Sequence, residues 1–314
     1  MRVLPVRALS ALVVLLIAST ASAVTIDWVP VDNPGNACDP LPRQPCVGGV
    51  GYGYLISKYE VTNAQYAEFL NAVAASDPYN VYNSNMSITR SGAAGSFTYA
   101  PVVSRENQPV NYVSYYNAVQ FSNWLSNGQP IGPAGPGTTF TGSYTIGGPT
   151  PLRNPGATIV LPSVNEWYKA AYYDPTTLSY FDYPTSSNAQ LNCVAPTSAP
   201  NSANCGNAVG SVTAVGAYLG SASPYGTFDM AGNVREWMDT CQKPPNDDLC
   251  AAAMSWFGEG AELADAHSAS PLIYGYFNIS NALGFRVAMV PEPSTGLLMA
   301  AGLIGLAVRR RVRA

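Results

Sequence analysis

Between Ser223 and Trp237 the chain reads SPYGTFDMAGNVREW, with two glycines, two carboxylates and an asparagine in fifteen residues. Gly226 and Gly232 can take positive φ, which lets a loop close tightly around a centre. Asp229, Asn233 and Glu236 offer side-chain oxygens at short spacing, beside carbonyls that a loop leaves without ladder partners. A donor set made only of oxygen suits a hard cation, Ca2+ above all. The same residues suit a glycine turn with polar caps and Trp237 in the core, so composition alone leaves both readings open.

The ends of the chain set its compartment. Residues 1–23 carry Arg2 and Arg7, an apolar run from Ala8 to Ala18, and Ala21-Ser22-Ala23 before Val24. That is the layout of a secretory signal peptide with a small-residue cleavage site; the run is short for a membrane span. At the other end, Pro291-Glu292-Pro293 precedes an apolar stretch from Gly296 to Val308 and a basic end with Arg309, Arg310, Arg311 and Arg313. The stretch falls short of the roughly 20 residues that cross a bilayer untilted. A motif, a short apolar helix and a basic end, over 291–314, have the order of a removable sorting tail.

Between the ends, residues 24–290 are long enough for one large domain with a real core. They hold nine of the 15 Lys and Arg and 18 of the 19 Asp and Glu, a formal charge of about −9. Such a surface excludes nucleic acid as a partner, which calls for basic patches, and is compatible with cation binding. His267 is the only histidine and no CxxC occurs, so a zinc site lacks its ligands and a nucleophilic triad has a single base to draw on. The six cysteines fall as Cys38 and Cys46, Cys193 and Cys205, Cys241 and Cys250. An even count in an exported chain favours disulfides, with 15 possible connectivities. The three local pairings are expected, each closing a short loop rich in Pro, Asn or Gly.

The elements that must position these residues are legible in part. Residues 24–50 form a Pro- and Gly-rich lead-in, and 51–290 the domain proper. Tyr54 to Val61 alternates as a strand does. Thr62, with Gln65 three residues on, predicts a capping box, and Tyr66, Phe69, Leu70 and Val73 follow as one apolar stripe. Ser114 predicts a second cap, with Ala118, Phe121, Trp124 and Leu125 on one face. Residues 126–158 read as a loop with a hairpin around Tyr144. Ser163 and Glu166 predict another capping box, before Trp167, Ala170 and Ala171. Aromatic residues at this helical spacing belong to a core. Residues 174–222 lack periodicity, which in a compact domain points to a functional or stapled loop. Met238 to Leu283 is read as variable, and Gly284 to Val290 as a closing strand.

YGTFDMAGNVREW resembles the most recurrent motif of the sulfatase-modifying factor family, whose type member is the formylglycine-generating enzyme. YLISKYEVTNAQYAEFLN from Tyr54, QPVNYVSYYNAVQFSNWL from Gln108, LPSVNEWYKAA from Leu161 and GFRVAM from Gly284 match the same family in the same order. The resemblance implies an α+β, C-type-lectin-like fold, loop-rich, with short strands and about three helices. It places calcium on the Asp229 and Glu236 carboxylates and the Gly232 and Val234 carbonyls, with Asn233 bracing the loop. A weaker second ion would lie at Asn204 and the Cys205 carbonyl. The family's copper-binding cysteines fall here on Gly258 and Leu263, counted from Ala253-Met254-Ser255-Trp256. Neither can supply the thiolate that Cu(I) needs, so copper is not expected.

The tail resembles the bacterial PEP-CTERM signal, built here on Pro291, Glu292 and Pro293. That resemblance implies an exosortase-type membrane protease as partner, a Gram-negative source, transient anchoring in the inner membrane, and export to the cell surface or extracellular matrix. The functional expectation is a non-catalytic module, braced by calcium and disulfides, that binds a glycan or protein. The alternative is a copper-dependent oxidoreductase acting on a protein cysteine through Cys241 and Cys250.

Overall fold

The computed structural model describes residues 23–40, 46–147, 151–242, 249–253, 255–265, 272–275 and 277–292. The expected signal peptide up to residue 22, His267, Pro293 and the rest of the tail lie outside them.

Strand β1 (Trp28–Val31) pairs antiparallel with β2 (Tyr54–Ser57), and the lead-in between them is closed by Cys38–Cys46. Helix α1 (Asn63–Val73) starts where the sequence places it: the Thr62 side chain accepts from the Gln65 N–H, and the Gln65 side chain accepts from the Thr62 N–H. A hairpin of β3 (Ile88–Ser91) and β4 (Thr98–Pro101) follows. Ser114 caps α2 (Tyr115–Ser126), whose residues through Leu125 are buried apart from Tyr116. After β5 (Ile159–Val160), α3 (Val164–Tyr172) is opened by the Ser163/Glu166 capping box.

The stretch beyond α3 has almost no regular structure because its strands have two residues each. β6 (Tyr173–Asp174) pairs with β7 (Ser179–Tyr180), and β8 (Asn192–Cys193) with β9 (Ser202–Ala203). Cys193–Cys205 staples this loop. The region read as variable instead contains β10 (Arg235–Gln242), β11 (Leu249–Ala252) and β12 (Leu272–Gly275), an antiparallel sheet stapled across one pair by Cys241–Cys250. Alternation failed as a signal there because Trp237, Met238, Cys250, Ala251 and Ala252 are all buried, so no polar face repeats every second residue.

The closing strand is split. β13 (Leu283–Gly284) runs parallel to β10, and β14 (Ala288–Met289) sits between β2 and β5. Arg286 lies between the halves, fully buried, and its ion pair spans the two sheets. β2 is likewise shorter than its sequence pattern, which ran to Val61, although its continuation stays bonded: Lys58 N–H to the Asp27 carbonyl, Val61 N–H to the Phe285 carbonyl.

One main core joins the helices to the sheets. Tyr66, Phe69, Phe121, Trp124 and Phe285 meet at centroid distances of 5.2–6.3 Å, mostly in the tilted and edge-on geometries aromatic rings favour. The 126–158 loop is tied down by charge. Its short bridge pairs Tyr144 with Arg153, and Arg153 binds both oxygens of Glu166 (2.6 and 2.9 Å) and Asp239. Among the described residues no helix is long and apolar enough to cross a membrane.

Candidate functional site

The 223–237 loop is wound from three left-handed turns. Gly226 has φ 90°, and the turn it completes is closed by the Ser223 N–H to the Thr227 carbonyl (2.8 Å). Asp229 at φ 57° turns the chain again, and its Oδ2 accepts the Gly216 N–H at 2.5 Å. Gly232 (φ 78°) and Asn233 (φ 54°) complete the winding. A Cβ on Gly232 would overlap the Asn204 carbonyl oxygen, so two requirements, conformation and close approach, select glycine there.

Asn233 is fully buried, and its side chain ties the loop to three other segments instead of bonding the loop's own backbone. Its N–H reaches the Asn204 carbonyl (3.0 Å), its Oδ1 accepts from Thr213 N–H (2.9 Å) and Asn204 Nδ2 (3.2 Å), and its Nδ2 donates to Glu60 Oε1 (3.0 Å). Trp237 is core, its indole N–H on the Val113 carbonyl at 2.8 Å.

Glu236 is buried and held on both oxygens. Arg286 donates to Oε2 at 2.5 Å and Oε1 at 2.7 Å, and the Trp167 indole N–H adds 2.8 Å to Oε2. The rest of the guanidinium serves the Ser57 carbonyl (3.1 Å) and the Phe228 carbonyl (2.9 Å). Glu236 therefore has a structural partner that the motif alone did not reveal, although GFRVAM contained it.

Three carboxylates share that one guanidinium. Glu60, 1% exposed, feels Asp229, Glu236 and Arg286. Burial and then the neighbouring carboxylates push its pKa well above the usual value, and Arg286 does not offset them. Burial also lifts Asp229 to about 6, against the Gly216 N–H and Arg286. Desolvation and like charge both disfavour a second and third ionised carboxylate here. Glu60 Oε2 and Asn204 Oδ1 are buried with no hydrogen-bond partner. Sequence reading missed Glu60, which sits before the Thr62 cap and so reads as the end of a strand.

The donors fit a hard cation in charge and chemistry: two carboxylates in excess of the guanidinium and an orphaned carboxylate oxygen. Among the described residues no three His, Cys, Asp or Glu side chains form a metal cage by themselves. At the second position, the Cys205 carbonyl already accepts from the Ala208 N–H at 3.1 Å.

Gly258 and Leu263, the positions expected from the resemblance to match the family's thiols, lie among apolar and aromatic neighbours. A Cβ on Gly258 would press on the Trp256 ring at 2.7 Å. Leu263 lines a small apolar cavity with Trp167, Tyr172, Met230 and Met238. All six cysteines are paired, in the three local disulfides.

Among the described residues, three α-helices, many short strands in small sheets and long loops define an α+β, C-type-lectin-like fold. The chain belongs to the sulfatase-modifying factor enzyme 1-like domain family, whose model matches residues 45–290, and a PEP-CTERM protein-sorting motif covers residues 290–311. That motif indicates a secreted protein processed by an exosortase in a Gram-negative bacterium. The crystal structure of CarF is similar, with a TM-score of 0.60 at 18% identity over 85% of this chain and 99% of CarF. Treponema denticola variable protein 1 gives 0.53 at 17%, over 87% of this chain and 98% of that one. No curated protein matches the chain significantly.

Proposed function

We propose that this chain is a non-catalytic member of its family: a disulfide-stapled, calcium-braced scaffold whose loops bind a glycan or protein at the cell surface or in an extracellular matrix. The observation that carries this reading is that Gly258 and Leu263 stand where the family's thiols would be, while each cysteine of the chain is committed to a disulfide. Copper chemistry on a substrate thiol needs thiolates, and a disulfide offers none. Before release, the tail anchors the chain transiently in the inner membrane.

Calcium would be held by Asp229, Glu60 and the Gly232 and Val234 carbonyls, with Glu236 staying the partner of Arg286, which already binds both of its oxygens. When bound it supplies positive charge that neutralises the carboxylates and fixes the loop.

The test is a thiol titration of the exported protein, unfolded without reductant, together with a formylglycine assay on a cysteine-containing sulfatase peptide with Cu(I). No reactive thiol and no turnover are the expected results. Turnover would replace this reading with the oxidoreductase one.

A further inference from the structure

A cavity of about 620 Å³ opens on the surface where α2 meets the loops at 79–84 and 277–279, within the size range of small-ligand sites. Its walls are aromatic. Phe277, 74% exposed, stacks on Tyr116 at 5.3 Å and 17°, and half-exposed Tyr79 meets Phe140 edge-on at 4.7 Å. Clustered exposed rings of this kind mark an interaction site rather than a random surface.

The floor is uncharged and polar. Asn117 and Gln120, three residues apart on α2, face it together with Ser114. Gln120 is 4% exposed and its Oε1 has no hydrogen-bond partner. A buried acceptor left this way is destabilising, and a ligand hydroxyl entering the cavity would satisfy it. Among the described residues, Arg90 is the only charged one lining the cavity. It is already engaged, 3.7 Å from Asp77 and over the faces of Tyr82 and Phe97.

The site is built before any ligand arrives. Asn117 Nδ2 donates to the Asn80 carbonyl at 3.2 Å, and Asp77 accepts the Val81 N–H at 2.7 Å. Tyr112 is held at φ 57°, a costly conformation for an aromatic residue, with its N–H on the Ser280 carbonyl at 2.9 Å. Rigid walls reduce the ordering cost of binding.

Flat rings bracketing an unpaired amide oxygen, with no carboxylate among the described lining residues and the one guanidinium engaged, match one ligand chemistry. A pyranose has an apolar C–H face to lay on a ring and an edge of hydroxyls for amides. We infer that this cavity binds a neutral oligosaccharide. The inference rests on the binding-module reading above and names its ligand class and its site.

The test is titration calorimetry on the exported full chain with cellohexaose, mannohexaose, galactohexaose and chitohexaose, and with a hexagalacturonate as anionic control. Saturable binding of at least one neutral sugar is expected, weakened at least tenfold in Tyr79→Ala and in Gln120→Leu at unchanged melting temperature. Tyr79 is half-exposed and Gln120→Leu conserves volume, so both variants should fold. No binding of any neutral sugar, equal binding by both variants, or preference for the anionic sugar would overturn the inference. None of those outcomes touches the thiol and formylglycine results on which the non-catalytic reading is judged.

Discussion

Glu236 and Arg286, fifty residues apart, form a buried two-point ion pair at 2.5 and 2.7 Å that joins β10 to the split closing strand. A motif carboxylate that could serve a cation is thus also the anchor of the fold. Arg suits this role because its fork meets both carboxylate oxygens at once.

Breaking the pair from one side should be severe. Arg286→Met leaves a buried carboxylate without its cation, which typically costs about 3–5 kcal/mol. The chemical denaturation midpoint should fall accordingly. Arg286→Lys should recover only part of the loss, because a point charge cannot hold two oxygens and two carbonyls together.

Calcium should raise the melting temperature, since a ligand that binds only the folded state stabilises it by mass action. Chelator should reverse the gain, and Asp229→Ala should abolish it. Glu60→Gln separates charge from shape: the metal-free protein should keep its stability to within about 1 kcal/mol, because Gln replaces a carboxyl already disfavoured as an anion, yet lose the calcium response. An unchanged melting curve with chelator in the wild type would reject the calcium brace.

Asp239 gives a pH signature away from that site. Burial lifts its carboxyl to about 6, in spite of Arg153. It is protonated more readily folded than unfolded, so its contribution is complete below the ordinary value near 3.8 and is lost as pH rises through 6. The loss approaches about 3 kcal/mol, because each tenfold gain in proton affinity on folding is worth about 1.4 kcal/mol. Glu166 runs the other way: burial alone would raise it, but Arg153 and Tyr52 hold it low. Denaturation of wild type and Asp239→Asn from pH 4 to 7 should therefore diverge, the variant losing less as pH rises.

Removing the Cys193–Cys205 staple by a double serine substitution should cost about 2–3 kcal/mol, in line with loops of this length. Protease cleavage should then move into residues 193–205. Cleavage elsewhere first would mean that the loop is held by its hydrogen bonds, not by the bridge.

The parts of this protein written in consecutive residues were readable without coordinates. Three N-caps, two of them full capping boxes, are interactions across three positions. The left-handed turns at Gly226 and Gly232 follow from a missing Cβ. The disulfides join cysteines 8, 12 and 9 residues apart. What misled was length and period: the β10–β11 segment buries consecutive residues, and the closing strand is cut by one charged residue that its alternation did not flag.

From the sequence alone came the sorting motif, the helix starts, the staples and the lack of thiols at Gly258 and Leu263, because each is a property of residue identity or of near neighbours. Only the tertiary structure decided that Arg286 claims Glu236, that buried Glu60 lies within reach of the charges of Asp229 and Glu236, and that rings from distant segments line a cavity with Gln120 in its floor. Those relations depend on which chain segments pack against one another, and burial sets the charge and hydrogen-bond state of each group only once that packing exists.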